Sequence, residues 1–270
     1  MGIVQRGSNF GELVAIMQRL LAPDGCPWDR EQTFATLKGY LIEESYEVIE
    51  AIDANDPAGH CEELGDLLFQ IVFQAELRAR EGQFGIEDVV RSIATKMIRR
   101  HPHVFADVTV KDSTEVLANW GKLKAAEHEE KGKKRRTLDG VPLDLPALLR
   151  AQRLGEKAAA VGFDWPDAAG VREKIDEELA EIEEAVAGGD PAHIEHEVGD
   201  LLLAVSRYAA KLGVAPEDAL RSALRRFTGR FEAMEAEVVA HGKQMKDSTL
   251  EELDTIWNEV KKRAQEVPKK

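Results

Sequence analysis

The feature that most restricts the fold of this chain is an internal repeat. Residues 41–47 read LIEESYE and residues 175–181 read IDEELAE, while residues 62–68 read EELGDLL and residues 196–202 read HEVGDLL. Both matches have the same offset of 134 residues, and the pair Asp56-Pro57 recurs at that offset as Asp190-Pro191. A repeat of this length in a chain of 270 residues predicts two homologous domains, each large enough to bury a core.

A charged run marks the predicted boundary between the domains. Residues 129–136 read EEKGKKRR, and Pro142 and Pro146 follow. No aromatic residue is interleaved in the run, and the whole chain has 36 Lys and Arg against 50 Asp and Glu. This balance argues against nucleic-acid binding, which needs a net basic surface. We predict an N-terminal domain at 1–128, a solvated linker at 129–147 and a C-terminal domain at 148–270.

Hydrophobic periodicity indicates helices almost throughout. Apolar residues recur at steps of three and four, and β-branched alternation is scarce, so we predict an all-α fold built of helical bundles. One predicted core stripe is Ile175, Leu179, Ile182 and Val186, and the next is Val198, Leu201, Leu202 and Val205. Gly188-Gly189 is expected to end the first helix, and Asp190-Pro191 is expected to begin the second.

Acidic residues occupy a regular place beside these stripes. Glu178 and Glu181 are three residues apart on the first helix, as are Glu197 and Asp200 on the second, so each pair projects from one helix face. If the helices pack antiparallel, the four carboxylates converge in one groove. The first repeat has the same spacing at Glu44, Glu47, Glu63 and Asp66.

Clustered carboxylates are unfavourable without a cation, because like charges raise one another's pKa. A ligand set of oxygens, with no obligatory His or Cys, favours Mg²⁺, or alternatively Mn²⁺, over zinc. For a single pair, a solvated acidic helix face is the better explanation, but repetition at the same spacing in both halves favours metal sites. A ferritin-like di-metal oxidoreductase would need Glu-x-x-His pairs, whereas Glu181 and Asp200 stand at the fourth position here.

The cysteines and the lengths of the apolar runs indicate the cellular location of the protein. Cys26 and Cys61 form no C-x-x-C pair, and so few thiols are typical of a reducing compartment. No apolar run approaches the roughly 18 residues of a membrane span. We therefore expect a cytoplasmic protein without a membrane segment.

Each repeat contains the pattern E-E-x-x-E, then a short turn, then E-x-x-D. This pattern resembles that of the MazG family of nucleoside triphosphate pyrophosphohydrolases, within the all-α NTP pyrophosphatase superfamily. The resemblance extends through GCPWDREQTF at 25–34, RHPHVFAD at 100–107, LLRAQR at 148–153 and VGFDW at 161–165. It therefore covers essentially the whole chain.

That resemblance implies Mg²⁺-dependent cleavage of NTPs and dNTPs between the α- and β-phosphates, which yields a nucleoside monophosphate and pyrophosphate. It implies metal ligation by Glu178, Glu181, Glu197 and Asp200. Glu177, adjacent to the ligand set, is the candidate general base. The nucleotide contacts carried over from the family are Lys174, Glu178, His193, His196, Arg226, Arg230 and Trp257.

The two repeats differ at one position that matters for this expectation. Tyr40 stands where the second repeat has Lys174, so the resemblance favours the C-terminal domain as the main nucleotide site. Superfamily members usually complete a four-helix core between subunits, which implies a homodimer. A non-catalytic nucleotide sensor, or a helical interaction module with a degenerate site, stays open, because binding and turnover use the same residues.

Overall fold

The computed structural model of the chain describes residues 9–113, 115–116, 119–121, 123 and 136–266. Within these residues every regular element is a helix, so the all-α prediction is confirmed. The chain divides into two compact units, Met1–Gly132 and Lys133–Lys270. Part of the predicted linker, residues 129–135, lies outside the described residues. Among the described helices, none combines the length and the apolar composition of a membrane-spanning segment.

The N-terminal unit is organised around a helical hairpin. Its helices are α1 (Phe10–Leu20), α2 (Pro27–Glu31), α3 (Phe34–Asp53), α4 (Pro57–Arg80), α5 (Ile86–Arg100) and α6 (Pro102–Phe105). Helices α3 and α4 pack along each other, and α1 and α5 pack against α4. The buried core consists of Met17, Leu21, Leu37, Val72 and Phe73.

The C-terminal unit repeats the hairpin. Its helices are α7 (Ala147–Ala159), α8 (Ala168–Gly188), α9 (Pro191–Lys211), α10 (Pro216–Ala240) and α11 (Leu250–Glu266), with a short 3₁₀ turn at Met245–Asp247. Helices α8 and α9 form the hairpin, α7 packs on α9 and α10, and α11 packs on α10. The hairpins therefore place the two halves of each acidic motif on adjacent helices.

Both hairpins turn by the same means. The Asp56 carboxylate accepts hydrogen bonds from the first backbone amides of α4, and the Asp190 carboxylate accepts one from Ala192 at 3.0 Å in α9. The residue before each aspartate has a left-handed backbone, Asn55 at φ 51° and Gly189 at φ 71°. Glycine adopts this conformation freely and asparagine tolerates it better than most residues, so both sequences suit the same turn.

Several residues of the predicted core stripes are exposed in the structure. Ile175 is buried, but Leu179, Val198 and Leu202 are 44%, 40% and 54% exposed in the described unit. Glu178 and Glu197 are instead only 3% and 7% exposed. A two-helix hairpin buries one of its sides within the unit, and here that side includes the carboxylates flanking the stripe.

An ion-pair cluster fastens the segment before α8 to α9. Asp164 contacts Arg207 and lies 2.8 Å from Lys211, and all three side chains are largely buried. Burial raises the pKa of Asp164, but hydrogen bonds and charge from Lys211 and Arg207 outweigh that effect and lower it. The cluster thereby holds the VGFDW segment against the hairpin.

Candidate metal and nucleotide site

The α8–α9 hairpin brings three carboxylates together. Glu178 on α8 and Glu197 and Asp200 on α9 each place an oxygen within 4.8 Å of the others. Glu178 and Glu197 are buried, and Asp200 is half-buried. We call these three residues the C-terminal cluster.

The fourth predicted ligand, Glu181, lies outside that tight group but beside it. Burial raises the pKa of Glu181, Lys174 lowers it, and the charges of Glu178 and Glu197 raise it again, with a net increase. Burial contributes most to the raised pKa of Glu181, and the neighbouring carboxylates add to it.

Lys174 is the main counter-charge of the cluster. Its ammonium lies 2.6 Å from Glu178 Oε1, 2.9 Å from Glu177 Oε1 and 4.0 Å from Glu181 Oε2. Hydrogen bonds to Glu177 and Glu178 raise the pKa of Lys174 well above its usual range. Lys174 stands one turn before Glu178 on α8, which explains why it reaches both the cluster and Glu177.

Two histidines contact the other side of the cluster. His193 Nε2 lies 3.0 Å from Glu197 Oε1, and His196 Nε2 lies 3.4 Å from Asp200 Oδ2. Both pairs are four residues apart on α9, so the helix itself sets these contacts. The structure thus brings both predicted histidines to the carboxylates.

The predicted arginines lie in a separate groove. A cleft of about 500 Å³ between α10 and α11 is lined by Arg225, Arg226, Arg230, Arg263 and Glu237, among others, and by none of the cluster carboxylates. Arg263 pairs with Glu237. The sequence reasoning missed Arg225 and Arg263, although Arg225 adjoins Arg226 in the basic stretch.

Trp257 lies on α11 and packs against α10. Its ring centroid is 5.4 Å from that of Phe227, and the side chain is half-buried. The structure does not place Trp257 with the C-terminal cluster, so its predicted nucleotide contact stays a prediction.

The α3–α4 hairpin contains an equivalent group, which we call the N-terminal cluster. Glu44, Glu63 and Asp66 place oxygens within 4.8 Å of one another. Burial raises the pKa of Glu44, as do a hydrogen bond with Glu47 and the charge of Asp66, while a hydrogen bond from Gln70 opposes the increase. Burial and the neighbouring acids likewise raise the pKa of Glu63.

Sequence reasoning missed Gln70. The residue is only 6% exposed, and its Oε1 atom is buried without a hydrogen-bond partner in the described structure. Its spacing from Glu63 and Asp66, at i, i+3 and i+7, puts it on the same face of α4 and could have indicated it.

A hard divalent cation fits the C-terminal cluster. The ligands are carboxylate oxygens, which Mg²⁺, Mn²⁺ and Ca²⁺ prefer. Glu178 Oε2 is buried and has no hydrogen-bond partner among the described residues. An unsatisfied anionic oxygen is costly, and a cation would satisfy it.

The fold and the two clusters define a tandem all-α protein with a carboxylate group suited to a divalent cation in each unit. Comparison with known proteins identifies the family within this class. The family model of the MazG nucleotide pyrophosphohydrolase domain matches the chain twice, at residues 32–105 and 169–234. These matches span both hairpins and therefore both clusters.

Relatives resemble the chain over nearly its full length. A Thermotoga maritima protein named nucleoside triphosphate pyrophosphohydrolase/pyrophosphatase MazG is 46% identical over 259 residues, which is 95% of this chain and 97% of that protein. The nucleoside triphosphate pyrophosphohydrolase of Escherichia coli K12 is 45% identical over 260 residues, covering 94% of this chain and 98% of its own. The chain belongs to the MazG family.

Proposed function

We propose that this protein is a nucleoside triphosphate pyrophosphohydrolase whose reaction takes place at the C-terminal cluster. The observation that supports it best is the buried oxygen of Glu178, which has no partner among the described residues and lies beside Glu197, Asp200 and the ammonium of Lys174. Carboxylates that hold a cation, next to a lysine that can pair with phosphate, are what a triphosphate site in an acidic protein requires. The names of the relatives support the same reaction.

The proposed cofactor is Mg²⁺, with Mn²⁺ as the alternative. Glu178, Glu197 and Asp200 would hold it, and Glu181 stands beside them as the fourth ligand. When bound there, such an ion offsets phosphate charge and makes water more acidic.

The side chains of the protein perform the remaining tasks in this proposal. Lys174 transfers its hydrogen bonds from Glu177 and Glu178 to phosphate oxygens as the substrate enters. Glu177 then loses its partner Lys174 and becomes free to accept a proton from the attacking water. His193 and His196 hold Glu197 and Asp200 in position from the solvent side.

The proposed cleavage lies between the α- and β-phosphates. The test is to incubate the protein with each NTP and Mg²⁺ and to separate the products. Nucleoside monophosphate and pyrophosphate in equal amounts are expected. Nucleoside diphosphate with inorganic phosphate would contradict the proposed bond, and the absence of turnover with intact binding would favour a nucleotide sensor.

We also propose that the protein is a homodimer in the cytoplasm. Apolar side chains on the hairpins are exposed at repeat-equivalent positions, Ile52 with Val186, Leu64 with Val198, Leu68 with Leu202 and Ile71 with Val205. Pairing of a hairpin with a like hairpin of a second copy would bury such a stripe and form a four-helix core. Both cysteines are free thiols, in accord with a reducing compartment.

A further inference from the structure

A groove between α10 and α11 concentrates positive charge in an otherwise acidic protein. The chain has a formal net charge of −14, yet four arginines and one glutamate are among the described residues that line this groove of about 500 Å³. Gly229, Ala233 and Ala264 also line it, and their small size leaves room between the charged side chains. Guanidinium groups that share one groove repel one another, and a bound anion offsets that repulsion. We call this cleft the arginine groove.

Two of the arginines have no acidic partner among the described residues. Arg226 and Arg230 are four residues apart on α10, so both project from the helix face that lines the groove. Neither forms an ion pair within the described parts of the chain. Their guanidinium groups are therefore available to an anion.

Arg263 lines the groove from α11 and is held there by an acid. Its Nη2 atom pairs with Glu237 Oε1, and its Nε atom donates to the carbonyl oxygen of Glu259 at 3.4 Å. The Arg263 side chain is 58% exposed, and Glu237 itself lines the groove. An anion that enters the groove therefore meets the charge of Glu237 and competes with it for Arg263.

We propose that Arg263 is a further phosphate-binding residue of this protein and that Glu237 competes with phosphate for it. A diphosphate group in the arginine groove accepts hydrogen bonds from Arg226 and Arg230 on α10 and from Arg263 on α11. The planar guanidinium group donates two parallel hydrogen bonds to one phosphate group, which a lysine does not. The inference rests on the proposed function, because it takes the diphosphate end of the substrate as the ligand.

Binding of inorganic pyrophosphate to the full-length protein tests the proposal without turnover. Isothermal titration calorimetry with a chelator and no divalent cation should show saturable binding of one equivalent. Arg263→Met should weaken this binding about tenfold, whereas Arg263→Lys, which keeps the charge without the planar fork, should weaken it about threefold. The matched control is Arg19→Met in the N-terminal unit, because Arg19 is 60% exposed and pairs with Asp24 at 2.8 Å. This control should leave pyrophosphate binding within about twofold.

Glu237→Gln tests the competition for Arg263. The variant removes the negative charge and keeps the size of the side chain, so it should strengthen pyrophosphate binding about threefold. Part of that gain comes from releasing Arg263, so the gain should be smaller in a protein that also carries Arg263→Met. An equal gain in both proteins would contradict the competition, because the two side chains would then act independently.

Two further measurements locate the bound pyrophosphate. Lys174→Met removes the ammonium at the C-terminal cluster and should leave metal-free binding within about twofold, because Lys174 does not line the arginine groove. ATP should displace pyrophosphate because it contains a diphosphate group, whereas AMP, with a single phosphate, should not.

Any one of four further results would overturn the proposal. They are no binding by the folded wild type at millimolar pyrophosphate, an effect of Arg263→Met no larger than that of Arg19→Met, loss of binding in Lys174→Met, and failure of ATP to compete. Circular dichroism confirms that each variant is folded. If such a result accompanied the formation of nucleoside monophosphate and pyrophosphate from NTPs, the proposed function would stand and only the role of Arg263 would be lost.

Discussion

At the scale of single residues, the chemistry depends on carboxylates that are buried before any cation binds. Glu178 is 3% exposed; one of its oxygens contacts Lys174, and the other has no partner in the part of the chain that the structure describes. Such an arrangement is costly for the folded chain, and side chains held in this way are typical of functional sites.

Glu178→Gln should lower hydrolysis of NTPs at least about 100-fold, because an amide keeps the shape but removes the charge that holds the cation and Lys174. Product formation at saturating Mg²⁺ measures the effect. Glu184→Gln, an exposed position on the same helix, is the matched control and should retain activity. Full turnover in Glu178→Gln would show that the site lies elsewhere.

A second residue-scale prediction concerns Asp164. Its pKa is lowered in the folded protein, so the stabilisation that it provides is fully present above the ordinary value of 3.8 and is lost as the pH falls through the folded value. Asp164→Asn should therefore reduce the free energy of unfolding by about 2 kcal/mol at neutral pH, because Arg207 and Lys211 lose a charged partner.

Urea unfolding of the wild type and Asp164→Asn at several pH values checks this prediction. The difference between the two proteins should shrink once the pH is below 3.8. A difference that stays constant from pH 7 to that range would mean that the charge of Asp164 is not what stabilises the segment before α8.

At the scale of elements, the two hairpins form the same left-handed turn with different residues, Asn55 in one and Gly189 in the other. Gly189 ends α8 with a left-handed backbone, while its neighbour Gly188 is the last helical residue and has open space around it. The same substitution at these adjacent positions should have opposite effects.

Gly189→Ala should destabilise the protein by about 1 kcal/mol, because alanine at positive φ is strained. Gly188→Ala should stabilise it by about 0.5 kcal/mol, because alanine has the higher helix propensity. Thermal or urea unfolding of the two variants supplies the comparison. Equal effects at both positions would contradict the observed turn.

At the scale of the whole molecule, the exposed apolar stripes on the hairpins predict self-association. Leu202→Glu places a charge in the stripe and should shift the protein from dimer towards monomer in sedimentation velocity. Leu250→Glu, at a leucine that is 83% exposed outside the hairpins, is the control and should leave association unchanged. A wild-type protein that sediments as a monomer at micromolar concentration would remove the basis for the dimer.

Much of the architecture follows from periodic features of the sequence. Tandem helical hairpins are predicted by three features: the 134-residue offset, the apolar residues at steps of three and four, and the pair Asp190-Pro191. The structure contains these hairpins. These features are local, and helix geometry converts local spacing directly into position on a face. The pairings of His193 with Glu197 and His196 with Asp200 follow from the same rule.

Other properties depend on contacts between segments that are distant in sequence. Gln70 reaches Glu44 only because α3 and α4 pack together, and Asp164 meets Arg207 across 43 residues. Which side of a hairpin is buried also depends on the neighbouring helices, which is why the carboxylates are less exposed than much of the predicted core stripe.

The sequence by itself determined the helical class, the duplication and the residues that form each acidic motif, because these are matters of spacing along one chain. Only the tertiary structure decided which carboxylates converge, which oxygens have no partner among the described residues and that the arginines line another groove. The physical reason is that convergence, desolvation and pairing are set by the packing of helices against one another, and the periodicity of a single helix contains no information on its neighbours.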